Sequence, residues 1–179
     1  MNIDFSKCIK WFEKNLDFSF SNINIINDLS YEDAPICCRE TNCIVLCAHS
    51  QYQCDFQLAH ELTHMYLPDF GPKYNWFQEL LACTMSYSYL YSQSDSEGYL
   101  DYLNLAILQR QPLSLDELKR FINANLSSFQ QDPYLVYHDT PLACKSDLFF
   151  ALGENYDFFK ILKSAKVNSI FLPKNSVSI

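Results

Sequence analysis

The feature that most constrains the fold is one long segment, residues 75–91, that is apolar around nearly its whole circumference when drawn as a helix. A helix without a polar face has to be buried, because no side of it can face water favourably. We therefore expect this helix at the centre of the domain, with the other elements packed around it. Its apolar side chains include Trp76, Phe77, Leu80, Leu81, Met85, Tyr89 and Leu90.

The remaining patterns predict an α+β fold in a single domain spanning residues 1–179. Helical spacing predicts a first helix over residues 6–16 with Ser6 as its cap, and a second over residues 56–67 with Asp55 as its cap. Between them, residues 23–26 form a short expected strand. Two apolar runs around residues 39–42 predict a β-hairpin whose second strand covers residues 43–48. We expect a small antiparallel sheet packed on the helices of residues 1–91, and a mainly helical subdomain in residues 92–179.

Charge and composition narrow the range of partners. The net charge is −8, and no run of lysine and arginine exceeds two residues, so direct binding of nucleic acid is not expected. We find no secretory signal and no apolar segment long enough to span a membrane, which predicts a cytoplasmic protein. No feature of the sequence predicts an oligomeric state.

The chain contains eight cysteines, which in a cytoplasmic protein are expected to be reduced thiols, mostly buried. An alternative is a second metal site formed by a cluster of four of them. This cluster contains no C-x-x-C pair, which zinc sites made of cysteine usually have. Its members are Cys38, Cys43, Cys47 and Cys54.

The most informative motif is Ala59-His60-Glu61-Leu62-Thr63-His64. His60 and His64 are four residues apart, so they lie one above the other on one helix face, and their ring nitrogens can converge on one cation. Glu61 lies on the adjacent flank, where its carboxylate can reach a water molecule at that cation. The pattern predicts two metal ligands and one catalytic base.

A catalytic zinc site usually has three protein ligands and one open position. Glu79 is our prediction for the third ligand, because it is the only acidic residue in the apolar helix and a buried carboxylate needs a partner. Small neighbours on that face, Ala82, Cys83 and Ser86, would let the helix approach the metal. The alternatives for the third ligand are Asp69, His138 and Asp139.

The run NCIVLCAHSQYQCDFQLAHELTHMYL, followed by Glu79-Leu80-Leu81-Ala82, resembles the ImmA/IrrE family of gluzincin-type metallopeptidases. The resemblance covers residues 34–90. It implies a zincin-like fold, a zinc ion held by His60, His64 and Glu79, and Glu61 as the general base. It also implies a cytoplasmic endopeptidase, often directed at repressor-type regulators. Thr63 departs from the glycine that the family usually has at this position.

If the protein is active, zinc would lower the pKa of a water molecule and Glu61 would accept its proton during attack on a peptide carbonyl. Such sites usually add a second donor to the developing oxyanion. Tyr134, Tyr137 and His138 are the candidates, with Tyr137 and His138 preferred as catalytic residues. Through the resemblance, the strand of residues 43–48 is expected to present an edge to an extended peptide substrate.

These observations favour a zinc-dependent metalloendopeptidase that hydrolyses peptide bonds of a cytosolic protein, with a regulator as one candidate substrate. One alternative is a catalytically inactive protein of the same fold that acts as a protein-binding module. Another is a zinc enzyme that acts on a non-peptide amide or ester, because the same activation of water serves any such carbonyl.

Overall fold

A computed structural model describes residues 3–31, 33–72 and 75–93, together with single helical and exposed positions at residues 120, 124, 127, 128, 131 and 163. The described elements are three helices and a three-stranded sheet, so the predicted α+β class is confirmed. The helical subdomain predicted for residues 92–179 lies almost wholly outside the described residues, as do Tyr134, Tyr137, His138 and Asp139. None of the described helices combines the length and apolar character needed to cross a bilayer.

The first helix, α1, spans Ser6–Leu16 as predicted, and it buries Cys8, Phe12 and Leu16, which repeat at intervals of four residues. The expected cap is wrong: Ser6 is the first residue inside the helix, and Phe5 precedes it without a capping side chain. The Ser6 amide donates instead to the Asp4 carboxylate at 2.9 Å. An acidic side chain two residues earlier therefore satisfies a free amide of this helix.

The sheet consists of β1 (Asn24–Asn27), β2 (Ile36–Cys38) and β3 (Cys43–Leu46) in the order β1-β3-β2. The expectation of an antiparallel sheet is wrong in part. The predicted hairpin pairs β2 with β3 antiparallel, as a tight turn requires, whereas β1 pairs with β3 in parallel and makes the sheet mixed.

The position of β3 also corrects a functional expectation. Because β3 is the central strand, both of its edges are already paired, and it cannot offer an edge to an extended peptide. Among the described strands the outer ones are β1 and β2. The core-facing side chains of β3, Ile44 and Leu46, are fully buried.

The second helix, α2, spans Gln51–Tyr66 and begins five residues earlier than expected. Ser50 is the cap, and its hydroxyl accepts a hydrogen bond from the Gln53 amide at 3.3 Å. Asp55 is wrong as the cap: it lies buried within the helix, where the Gln51 side-chain amide donates to it at 3.1 Å. The helix ends at Tyr66 because Leu67, which precedes a proline, adopts an extended conformation.

The third helix, α3, spans Asn75–Ser92, and the prediction that this apolar helix lies in the core is confirmed. Trp76, Leu80 and Met85 are almost completely buried. It touches α1 through the rings of Trp11 and Tyr89, which meet edge to face with centroids 5.2 Å apart. Among the described elements, however, the central one is α2, which contacts α1, α3, β2 and β3, so the buried helix α3 packs along it.

The capping role of Ser50 predicts a measurable loss of stability. Replacing Ser50 with alanine removes the acceptor for the Gln53 amide, and we expect the free energy of unfolding to fall by about 1 kcal/mol. Chemical denaturation of the full chain measures this change. Ser21→Ala, in an exposed turn, is the control. An equal effect of both substitutions would contradict the assignment of the cap.

Candidate metal centre

Two imidazoles on one face of α2 form one side of the site. His60 and His64 are one helical turn apart, and their Nε2 atoms lie 3.0 Å from each other. The two rings meet edge to face with centroids 4.7 Å apart. Both side chains are largely but not completely buried. The convergence expected from their spacing in the sequence is therefore present.

Glu79 reaches both histidines from α3. Its Oε2 atom lies 3.2 Å from His60 Nε2, and its Oε1 atom lies 3.3 Å from His64 Nε2. Among the described residues these three form the one group of histidine, cysteine and acidic side chains that could hold a metal ion. Asp69, an alternative third ligand, is exposed, and its carboxylate accepts a hydrogen bond from the Gly71 amide at 2.7 Å.

The contacts between α2 and α3 continue along both helices away from the group. Beyond Glu79, the Cys83 sulfur lies 3.8 Å from His60 Nδ1. One turn further, the Ser86 hydroxyl donates to the Phe56 carbonyl at 2.9 Å. The two helices therefore run antiparallel past each other, and small side chains on α3 permit the close approach that the sequence predicted.

The distances within the group fit a tetrahedral ion. Two ligand atoms that each lie about 2.0–2.1 Å from such an ion are separated by about 3.3 Å. The three separations here are 3.0, 3.2 and 3.3 Å. The group lines an open cleft of about 1010 Å³, so a fourth position would be accessible to water and to a ligand. The His-His-Glu group is thus positioned to hold a metal ion.

The charges within the group are strongly coupled. Burial by itself would raise the pKa of the Glu79 carboxyl, but the hydrogen bonds and positive charges of His60 and His64 outweigh it and hold that pKa far below its ordinary range. Burial would likewise lower the pKa of His60, but its hydrogen bonds to Cys83 and Glu79 raise it well above the ordinary value. The carboxylate is therefore ionised and can accept a cation between the imidazoles.

Glu61 lines the same cleft, and only 4% of the residue is exposed. The Cys37 thiol of β2 lies beside it. Burial and then the negative charge of Glu61 raise the pKa of Cys37 to about 12, so this thiol stays protonated at neutral pH. An S–H group therefore lies beside a Glu61 side chain that is largely removed from bulk water.

Sequence reasoning missed Arg39, which lies in the hairpin turn. Its Nε and Nη2 atoms donate to the His64 carbonyl at 2.9 and 2.6 Å. The last turn of a helix leaves its carbonyls without partners, and a cation stabilises that end. The only available signal was an arginine in a predicted turn, which does not reveal what the turn lies against.

Thr63 occupies the position at which the resembled family usually has glycine. It is fully buried, and its hydroxyl donates to the Ala59 carbonyl within the same helix at 2.8 Å. The hydroxyl is thus engaged by the backbone of α2. The side chains of His60, His64 and Glu79 converge with threonine at this position.

The alternative of a second metal site made of cysteines is wrong. Its four members are all described, and they form no group with converging ligand atoms. Every cysteine in the described part of the chain is free. Cys47, for example, accepts a hydrogen bond from the Gln57 side chain at 3.4 Å. Of the seven cysteines described, only Cys8, Cys54 and Cys83 are fully buried, so the expectation that most of the thiols are buried is wrong for this part of the chain.

Comparison of the chain with protein-family models, with curated proteins and with solved structures finds no match.

The geometry predicts binding of one divalent metal ion per chain. His60→Ala and Glu79→Ala each remove one of three ligands, so we expect the stoichiometric metal of the parent protein to be lost from both. Elemental analysis after purification measures it. His49→Ala is a matched control, because this histidine is exposed and lies outside the group. Metal retained by the His60 and Glu79 variants would rule out the assignment.

Without metal, the site predicts a specific dependence of stability on pH. The pKa of His60 is raised in the folded state above its ordinary 6.5, so its contribution is complete below pH 6.5 and is lost as the pH rises through the raised value. Glu79 has a lowered pKa, so its contribution is present above its ordinary 4.5 and is lost in stronger acid. Unfolding of metal-free protein across this range measures both effects. In Glu79→Gln we expect the pH-dependent contributions of both residues to stability to become smaller. An unchanged pH profile of stability would contradict the interaction between His60 and Glu79.

Proposed function

We propose that the protein is a zinc-dependent metalloendopeptidase that acts on a cytosolic protein, in the manner of the ImmA/IrrE-like peptidases that it resembles. The observation that carries this proposal is the convergence of His60, His64 and Glu79, with the Glu61 carboxylate in the same cleft. A group that only stabilised the fold would not need a second acidic side chain, Glu61, in the same cleft.

Zinc is the metal that this ligand set favours. Two imidazoles and one carboxylate with an open fourth position are the arrangement that catalytic zinc sites use in peptidases. The two histidines would bind through Nε2, and the carboxylate faces both of them. Its negative charge offsets part of the charge of a divalent ion in a largely buried site.

When bound, a zinc ion would supply Lewis-acid activation of a water molecule and of the substrate carbonyl. The side chain that moves protons is Glu61. Its carboxylate would accept a proton from the water molecule as the peptide carbonyl is attacked, and would then deliver this proton to the leaving amine. The neighbouring Cys37 thiol is protonated, so it adds no second negative charge.

The sheet supports a peptide as the substrate. β2 lines the cleft through Ile36 and Cys37, and its outer edge is not paired with another described strand. An extended peptide can add to such an edge through main-chain hydrogen bonds. Ile36 is 50% exposed, which leaves an apolar surface for a substrate side chain. We therefore propose β2, in place of β3, as the strand along which the substrate lies.

The thiol chemistry of the described residues supports a cytoplasmic location for the proposed enzyme. Seven cysteines are described and all seven are free. Free thiols in this number are typical of a reducing compartment, because an oxidising one favours disulfides.

The test of the proposed activity is Glu61→Gln. This variant keeps the shape of the side chain but cannot accept a proton, so we expect zinc content to be unchanged and peptide cleavage to fall by about a hundredfold or more. A peptide library digested with zinc-loaded protein and read by mass spectrometry measures cleavage. Glu40→Gln, an exposed acid on the hairpin outside the cleft lining, is the control.

The outcomes separate the candidate functions. Cleavage abolished by Glu61→Gln but not by Glu40→Gln supports the peptidase. Stoichiometric zinc without cleavage of any peptide, but with hydrolysis of simple esters or amides, would favour the non-peptide hydrolase. Zinc without hydrolysis of any substrate would favour the protein-binding module.

A further inference from the structure

The geometry points to Cys83 as a positioning residue that holds the metal ligand His60 in the tautomer and orientation required for metal binding. This inference rests on the proposed function only in that it needs a metal ion at His60, His64 and Glu79. It does not depend on peptide cleavage.

The tautomer of His60 is set by what its second ring nitrogen contacts. A neutral imidazole that offers the Nε2 lone pair to a metal carries its proton on Nδ1, and that N–H group needs an acceptor. Metal-binding histidines usually donate it to a carboxylate, a backbone carbonyl or water. Here His60 Nδ1 faces the Cys83 sulfur at 3.8 Å, and Cys83 is fully buried.

The spacing along α3 explains how one helix face provides both a ligand and its support. Glu79 and Cys83 are four residues apart, so they lie one above the other. Glu79 reaches the Nε2 side of the His60 ring at 3.2 Å, and Cys83 reaches the Nδ1 side of the same ring. The ring is therefore contacted at both nitrogens by a single helix. A shift of α3 along its axis would change both contacts together.

Sulfur is a weak acceptor compared with a carboxylate. The 3.8 Å contact still places the sulfur where the Nδ1 side of the ring needs an acceptor. Because the sulfur is fully buried, its removal would take a fixed acceptor away from the Nδ1–H group and loosen the orientation of the ring. Removing such a support at other metal sites weakens metal affinity by about 10–100-fold.

The test measures zinc affinity by competition with a chromophoric chelator, using the full chain. In Cys83→Ala we expect zinc to bind about 10–100-fold more weakly. In Cys83→Asn the amide oxygen can accept the Nδ1–H bond, so affinity should recover towards that of the parent. Cys54→Ala is the matched control, because Cys54 is an equally buried thiol on α2 whose neighbours are Cys8 and Asp55. Its zinc affinity should not change.

Cobalt(II) loading provides a second readout, because its visible absorption bands report ligand geometry. These bands should change in Cys83→Ala, return towards the parent spectrum in Cys83→Asn and stay unaltered in Cys54→Ala. If the alanine variant does not fold, Cys83→Val is measured in the same way, since valine fills the space without an acceptor atom.

Parent-like zinc affinity in the alanine or valine variant, or asparagine no better than alanine or valine, would overturn the inference about Cys83. Such results would leave the metal site itself intact. In contrast, zinc retained by His60→Ala would refute the metal site on which both proposals depend.

Discussion

The structure depends on the antiparallel pairing of α2 with α3. One helix carries the two histidines, the other carries the carboxylate between them, and neither set could bind a metal ion alone. The pairing is close because the facing side chains of α3 are small: the Ser86 hydroxyl bonds directly to a backbone carbonyl of α2. The apolar surface of α3 keeps it in the core, so burial of Trp76, Leu80 and Met85 fixes the position of Glu79. The packing of the hydrophobic core thus determines the geometry of the His-His-Glu group.

This dependence explains which parts of the site could be predicted from the sequence. The spacing of His60 and His64 already defines a shared helix face, and local geometry is sufficient to predict their convergence. Glu79 required one further step, namely that a lone carboxylate in an apolar helix needs a partner. Both steps use strong local patterns. Residues 92–179 offer no comparable motif, and the proposed oxyanion donors among them stay predictions.

The errors arose where local patterns compete or where the partner is distant in the chain. Ser50 and Asp55 are both good capping residues, and the sequence alone does not show that Asp55 is buried with Gln51 as its partner. A hairpin turn dictates the antiparallel pairing of β2 with β3, but nothing local shows on which side β1 joins. Arg39 belongs to the same class, because its partner lies 25 residues further along the chain.

The two hydrogen bonds of Arg39 have a mechanical consequence. Its planar guanidinium donates to one carbonyl through two nitrogens, so any displacement of the turn from the end of α2 would strain two hydrogen bonds at once. Lysine could donate to the same oxygen, but its freely rotating ammonium group would not fix the orientation of the contact. The hairpin therefore supports the end of α2. A tilt of the sheet would displace the backbone of His64, and with it one of the three ligand atoms of the group. Although the sheet is small, it therefore helps to fix the position of the His64 imidazole.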